Sequence, residues 1–294
     1  MGCCDSNNNS CCSPGPDVRE VVREGYTRIA ESGTLSAVVS GGCCGGTPLS
    51  ADALAAQIGY SAEEIKNLPE GANMGLSCGN PTAIADLKPG QVVVDLGSGG
   101  GFDCFLAGPK VGSAGRVIGV DMTPAMLTKA RGNIASYRQS TGLDNVEFRL
   151  GEIEHLPIAD ASADVVISNC VINLSPDKPQ VWREIARVLR PGGRVAASDM
   201  ALMRPLPAKV IELVDAMVGC VSGAVMLEEY QRMVIAAGLT AITLRPKPGY
   251  IAALAQFKDP LYRQIAANLP VGATLADYVT SVDVIACKAL TIAR

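Results

Sequence analysis

The stretch from Gln91 to Asp103, QVVVDLGSGGGFD, constrains this chain more than any other. Val92, Val93 and Val94 form a run of β-branched residues, the composition of a strand buried on both faces of a parallel sheet. Asp95 closes the run, and Gly97, Gly99 and Gly101 follow before the apolar Phe105, Leu106 and Ala107. The pattern predicts a strand, a glycine loop and a helix. A plain turn between strand and helix needs one glycine; three let the backbone take positive φ and let a ligand lie against the main chain. The dinucleotide fingerprint G-x-G-x-x-G would need glycine or alanine where this chain has Phe102. The spacing is instead D-x-G-x-G-x-G, with an acid at the strand tip that would repel a pyrophosphate and suits an ammonium group.

That spacing resembles the first motif of class I S-adenosylmethionine-dependent methyltransferases. A second strand, Arg116 to Asp121, ends in a carboxylate twenty residues beyond Gly101, where an acid can accept both ribose hydroxyls. A third, from Val146, runs into Gly151 to Pro157, which resembles the adenine-binding turn of that family. There the Ile153 N–H and a carboxylate, Glu154 or Glu152, are expected to meet the adenine edge. The same resemblance implies Ser98, Met122 and Asn169 as further cofactor contacts.

The 294 residues suffice for one large domain or two modest ones, with a mostly aliphatic core, since aromatics are only 4%. A net charge of −4 argues against a nucleic-acid partner, because phosphate neutralisation needs a basic face. No run of eighteen apolar residues predicts a membrane span, and no secretory apolar segment opens the chain, so a cytoplasmic monomer is expected. The eleven cysteines include the doublets Cys3–Cys4, Cys11–Cys12 and Cys43–Cys44 but no C-x-x-C pair, which fits reduced thiols better than a disulfide framework or a zinc ribbon. His155 is the single histidine, expected at the surface of a turn, and it leaves little room for a histidine-based triad.

Residues 1–16 read as a polar, cysteine-rich tail. Its opening Met-Gly-Cys-Cys-Asp-Ser satisfies the myristoylation pattern, but nothing polybasic supports a membrane anchor, and lipidation is not expected. Residues 17–81 read as N-terminal helices and cysteine-bearing loops covering the site. Asp17 is expected to cap a helix to about Glu31, and Ser61 with Glu64 reads as a capping box. The α/β core spans 82–245, with strands near 91–95, 116–120, 146–150, 163–168 and 193–198 and helices near 101–111, 123–140 and 176–189. Ser175 and Pro176 are the expected cap and first residue of the last helix, and Leu189 to Gly193 a helix-stopping turn. Residues 200–239 read as a largely helical substrate segment. A hairpin-like pair near 240–245 and 279–289 would give a seven-stranded, mostly parallel sheet its antiparallel edge, so that 246–294 holds a C-terminal insertion, 246–278, and the last strand.

Cys78, Cys170 and Cys220 sit in three separate loops, each expected at the carboxyl ends of the strands. Three thiolates suit a soft, trivalent acceptor. Asp95 to Phe105, Gly119 to Pro124, Gly151 to Pro157, Ser168 to Lys178, Gly219 to Gly223 and Pro69 to Pro81 together resemble the arsenite S-adenosylmethionine methyltransferases. The resemblance covers about residues 17–245. It implies that Cys78, Cys170 and Cys220 bind trivalent arsenic, that Cys43 or Cys44 is a fourth, redox-active cysteine able to bridge Cys78, and that a thioredoxin- or glutathione-type thiol acts as reductant. Cys104 and Cys287 are expected to pack as small apolar residues. An organic acceptor, or metalloid sequestration without catalysis, are the competing readings; the intact donor motif argues against the second.

Overall fold

The structure, a computed structural model, describes residues 17–32, 50–215, 223–249, 251 and 267–290. The N-terminal part contributes helices α1 (Val18–Ser32), α2 (Ala51–Gln57), α3 (Ala62–Lys66) and α4 (Pro81–Ile84). The expected capping box is present: the Ser61 side chain takes the Glu64 N–H, and the Glu64 carboxylate takes the Ser61 N–H.

Strand and helix then alternate, because parallel neighbours can be joined only by a crossover. The order is β1 (Val92–Leu96), α5 (Phe102–Val111), β2 (Arg116–Asp121), α6 (Pro124–Gly132), α7 (Ile134–Thr141), β3 (Val146–Leu150), β4 (Ala163–Asn169), α8 (Lys178–Val188) and β5 (Leu189–Leu202). After these come α9 (Ala208–Asp215), β6 (Val225–Met226), α10 (Leu227–Ala236), β7 (Leu239–Lys247) and β8 (Val279–Lys288). The strands form one sheet in the order β3-β2-β1-β4-β5-β8-β7, with the two-residue β6 paired to β5. Asp95 pairs with Gly119 on one side and Ile167 on the other, so β1 lies at the sheet's centre.

Alternate residues of the central strands feed two cores, as a period of two dictates. Val94, Leu96, Val166 and Val195 pack against Trp182 and Ile185 of α8 and Tyr230 of α10. Val93, Val165 and Ile167 face Phe105 of α5, Leu127 of α6 and Tyr137 of α7. The parallel strands all end at one rim, which carries Asp95, Asp121, Asn169 and Asp199. The strand order reverses between β1 and β4, where ligands of open α/β sheets bind.

The expected antiparallel pair is present, with the reversed strand β8 set between β5 and the outermost β7. Other boundaries need correction. The single helix expected over 123–140 is two, meeting at Asn133. Ser175 does not cap α8; Asp177 does, taking the Gln180 N–H at 3.0 Å, with the proline near the helix start being Pro179. Ser175 instead closes a short 3-10 turn (Ile172–Leu174). Leu189 to Gly193 lies within β5, where the register jumps from Ala163–Leu189 to Val165–Arg194 and absorbs the turn residues. Residues 200–239 are only partly helical, since β5 runs on to Leu202 and β6 follows.

Candidate active site

A cleft opens at this rim, lined by the loops that follow β1, β2 and β4 together with α1 and the segment around Met74. Its floor is the loop after β1, where Gly97, Gly99 and Gly101 have φ of +67°, +51° and +92°. Gly97 is required twice over: its backbone is left-handed, and a Cβ there would overlap the Val171 side chain. Asp121 orders the loop by accepting the Gly99 N–H at 2.9 Å and the Thr123 N–H at 2.7 Å. Burial nevertheless raises its carboxyl above the usual range. Asp95 is 2% exposed and is pushed well up by burial, then by the charge of Asp103. Cys104, expected to pack in the core, is fully buried there and also donates its S–H to Asp95 Oδ2 at 3.2 Å. Ser98 Oγ is buried on the cleft wall without a protein partner, a polar atom that a polar ligand would satisfy.

One wall is α1, whose Val22 and Tyr26 line the cleft together with Met74, Met122, Ile153 and Leu174. Arg19 reaches from α1 to Glu154 at 3.3 Å and to Glu152 at 3.6 Å. Glu154 is buried, and Ser175 Oγ donates to it at 2.6 Å. Glu152 lies outside the cleft lining and takes a further contact from Arg23 at 3.7 Å. His155 is exposed, as expected.

The cleft lining also carries sulfur, from Cys170. Cys170 follows β4 directly and has φ +57°, a left-handed backbone on a non-glycine residue that costs about 1–2 kcal/mol. Its N–H donates to Ser198 O at 2.8 Å, which fixes the turn against β5. Cys78 comes from the loop ahead of α4. Its N–H donates to Asn169 Oδ1 at 3.1 Å, and its carbonyl accepts Ser281 Oγ at 2.9 Å. The two cysteines, 92 residues apart, are joined as a disulfide with their Cα atoms 5.9 Å apart. Their sulfurs and an oxygen of Asp199 all lie within 4.8 Å of one another. Burial pushes Asp199 up to about 6, against hydrogen bonds from the Met200 and Asn173 N–H groups and the Tyr230 hydroxyl.

The rim thus brings together Asp95, Gly97, Ser98, Gly99, Asp121, Met122, Ile153, Glu154, Asn169, Cys78 and Cys170. Cys220, Cys43 and Cys44 lie outside the described residues, as do the tail cysteines. Cys287 is half-buried in β8, paired with Arg194 in the early part of β5 and with Thr240 of β7, away from the strand ends that carry these groups. Sequence reasoning missed Arg19, Tyr60, Asp103, Val171 and Asp199. Asp103 alone had a local signal, an acid two residues after the glycine loop; the others matter only through partners distant in the chain.

Fold and site together define a class I methyltransferase. A methyltransferase-domain model matches residues 87–238. An arsenite methyltransferase of Halobacterium salinarum is 48% identical over 238 residues, covering 79% of this chain and 59% of that protein. A human arsenite methyltransferase is 42% identical over 123 residues, covering 40% of this chain and 33% of its own length. The chain therefore spans less than two thirds of these curated relatives. The crystal structure of an arsenic(III) S-adenosylmethionine methyltransferase from Chlamydomonas reinhardtii matches with a TM-score of 0.60 and 31% identity, covering 84% of this chain and 75% of that one. The chain belongs to the arsenic(III) S-adenosylmethionine methyltransferase family. Fold alone would not say so: a [4+2]-cyclase, SpnF, matches with a TM-score of 0.57 at 17% identity. Among the described residues no helix is long and apolar enough to cross a membrane.

Proposed function

We propose that this chain transfers a methyl group from S-adenosylmethionine to trivalent arsenic held by cysteine thiolates. The observation that carries the reading is the pair Cys78 and Cys170, set at the end of β4 beside Asn169, which also lines the donor cleft. The cleft suits the donor. Asp95 offers a buried acid to the ammonium, Asp121 an acid to the ribose hydroxyls, and Met74, Ile153 and Leu174 an apolar seat for the adenine. Ile153 N–H and the Glu154 carboxylate take the adenine edge, Glu154 sharing its charge with Arg19. When bound, S-adenosylmethionine supplies an electrophilic methyl on a sulfonium.

Cys220 is the third ligand, a role resting on the sequence around it. Arsenic(III) bound by three sulfurs keeps a lone pair, so no general base is needed, in keeping with a single, exposed histidine. The protein's work is positioning, holding acceptor and methyl carbon about 3–3.5 Å apart. The Cys78–Cys170 disulfide must first be opened: one external dithiol of the thioredoxin type, or two monothiols of the glutathione type acting in turn through a mixed disulfide, give up two electrons and two protons and end as a disulfide.

The test is incubation of reduced protein with arsenite, S-adenosylmethionine and thiol, with arsenic species separated by chromatography and detected by elemental mass spectrometry. Methylated arsenic is expected. Its absence in a protein that binds the donor would return the acceptor to small organic molecules. Cys170→Ser and Cys220→Ser should each abolish methylation while leaving donor affinity within about threefold, as expected when only acceptor ligands are removed.

A further inference from the structure

Between the donor cleft and Cys78 lies a cluster of buried polar groups that neither ligand's binding explains. Asp103, at the start of α5, is 5% exposed and lines the cleft. Its Oδ1 accepts the Tyr60 hydroxyl at 2.7 Å and its Oδ2 accepts Asn169 Nδ2 at 3.0 Å. Asn169 Nδ2 also lies 3.0 Å from the Gly79 carbonyl and 3.2 Å from the Tyr60 oxygen. Asn169 Oδ1 accepts the Cys78 N–H and sits 3.8 Å from the Cys78 sulfur. One amide side chain thus has its nitrogen on a donor-cleft carboxylate and its oxygen on the acceptor cysteine.

A buried carboxylate is an expensive way to hold an asparagine. Burial pushes Asp103 up to about 6 in spite of the Tyr60 and Asn169 donors, and its charge also raises its neighbour Asp95. Two acids facing one cleft are relieved by a cation between them. The donor's ammonium is such a cation, and Asp103 is the acid whose other contacts lead to Cys78.

We propose that Asp103 and Tyr60 are positioning residues that couple the two sites: a cationic ligand seated against Asp95 and Asp103 fixes Asn169, and through it the main chain at Cys78. The inference rests on the reading of the cleft as the donor site and of Cys78 as an acceptor ligand. Tyr60 holds Asp103 at the orientation that leaves Oδ2 for Asn169, because its hydroxyl occupies Oδ1. Such a linkage is a coupling free energy between sites, so it acts in both directions. Donor binding orders the acceptor loop, and a filled acceptor site tightens the donor.

The test uses the reduced full chain and S-adenosylhomocysteine, which carries the ammonium and cannot transfer a methyl. The rate of Cys78 alkylation by iodoacetamide is followed by peptide mass spectrometry with and without it, with Cys287 as an internal control outside the cluster. In the wild type, saturating S-adenosylhomocysteine should slow Cys78 alkylation about tenfold and leave Cys287 unchanged, the scale expected of a hydrogen bond to a charged group. Tyr60→Phe keeps the ring that packs edge-on to Phe102 with centroids 4.8 Å apart. It should bind S-adenosylhomocysteine within about threefold of wild type and yet lose most of the protection. Asp103→Asn should weaken that binding about tenfold and lose the protection too.

Full protection in Tyr60→Phe would overturn the proposal, as would a wild type that binds S-adenosylhomocysteine without slowing Cys78. Failure of the wild type to bind it at all would overturn the donor reading and the proposal with it. Protection that depends on Tyr60, in a protein that makes no methylated arsenic, would support the coupling and remove only the acceptor assignment.

Discussion

At the scale of single residues, the site is a set of buried acids whose charges are poorly compensated within the chain. Asp199 shows the consequence for stability. Its carboxyl titrates at about 6 in the folded protein, above the roughly 3.9 of an unfolded chain. Between those values the folded state holds an extra proton, so this group's contribution is complete below about pH 4 and lost as the pH rises through 6. Asp199→Asn should therefore gain on the wild type by on the order of 2 kcal/mol between pH 4.5 and 7.5, measured by chemical denaturation of the ligand-free protein with the Cys78–Cys170 bridge intact. A constant gap would mean that Asp199 stays charged throughout. The glycine loop makes a second prediction. Gly97→Ala must accommodate both a left-handed backbone and the Val171 side chain, and it should cost about 2 kcal/mol or more and weaken donor binding. Val171→Ala introduced alongside it should recover the steric part of that loss, which a double-mutant cycle would measure. The tip acids and glycines were legible in the sequence because their geometry is local. Asp199 was not, because its importance comes from sulfurs on two other segments.

Among the elements, α1 is attached to the cleft by charge. Arg19 spans Glu152 and Glu154, and Arg23 adds a contact to Glu152. Because Arg19 and Glu152 are part-exposed, that side of the link is screened by salt, whereas buried Glu154 is not. Arg19→Ala should weaken S-adenosylhomocysteine binding several-fold and speed amide hydrogen exchange along α1, while exchange in β1 and β4 stays unchanged. Equal exchange in α1 would show that apolar packing of Ile29 and Ala30 against Met74 and Met126 holds the helix without the arginine. Most elements were readable from periodicity and punctuation. The exceptions have physical causes. Asp177 rather than Ser175 caps α8 because the Ser175 hydroxyl donates to Glu154 and accepts the Asp177 N–H at 3.0 Å, a turn ahead of the helix that leaves Asp177 to take the Gln180 N–H. The Leu189–Gly193 turn is absorbed into β5 because pairing with β4 resumes on both sides of it. Propensity alone cannot weigh a tertiary partner.

For the whole molecule, stability rests on two cores divided by one sheet. Trp182 is completely buried between β-strand residues and Tyr230, with ring centroids 6.0 Å apart. Trp182→Ala should cost about 3–5 kcal/mol and lower the thermal midpoint without touching the glycine loop. The mostly parallel sheet and its antiparallel edge were legible in the alternation of strand and helix and the late hairpin-like pair, whereas the strand order and the joining of Cys78 to Cys170 across 92 residues were beyond any local pattern. The rim carries a consequence for handling the protein. All the chemistry described above gathers where the parallel strands finish, and the turns at their starting ends, such as Ser113–Ala114 ahead of β2, are exposed and carry none of it. The molecule therefore has a working end and a blank end, and a fluorophore, a surface tether or an inserted domain grafted at Ser113–Ala114 would leave the cleft free to turn over.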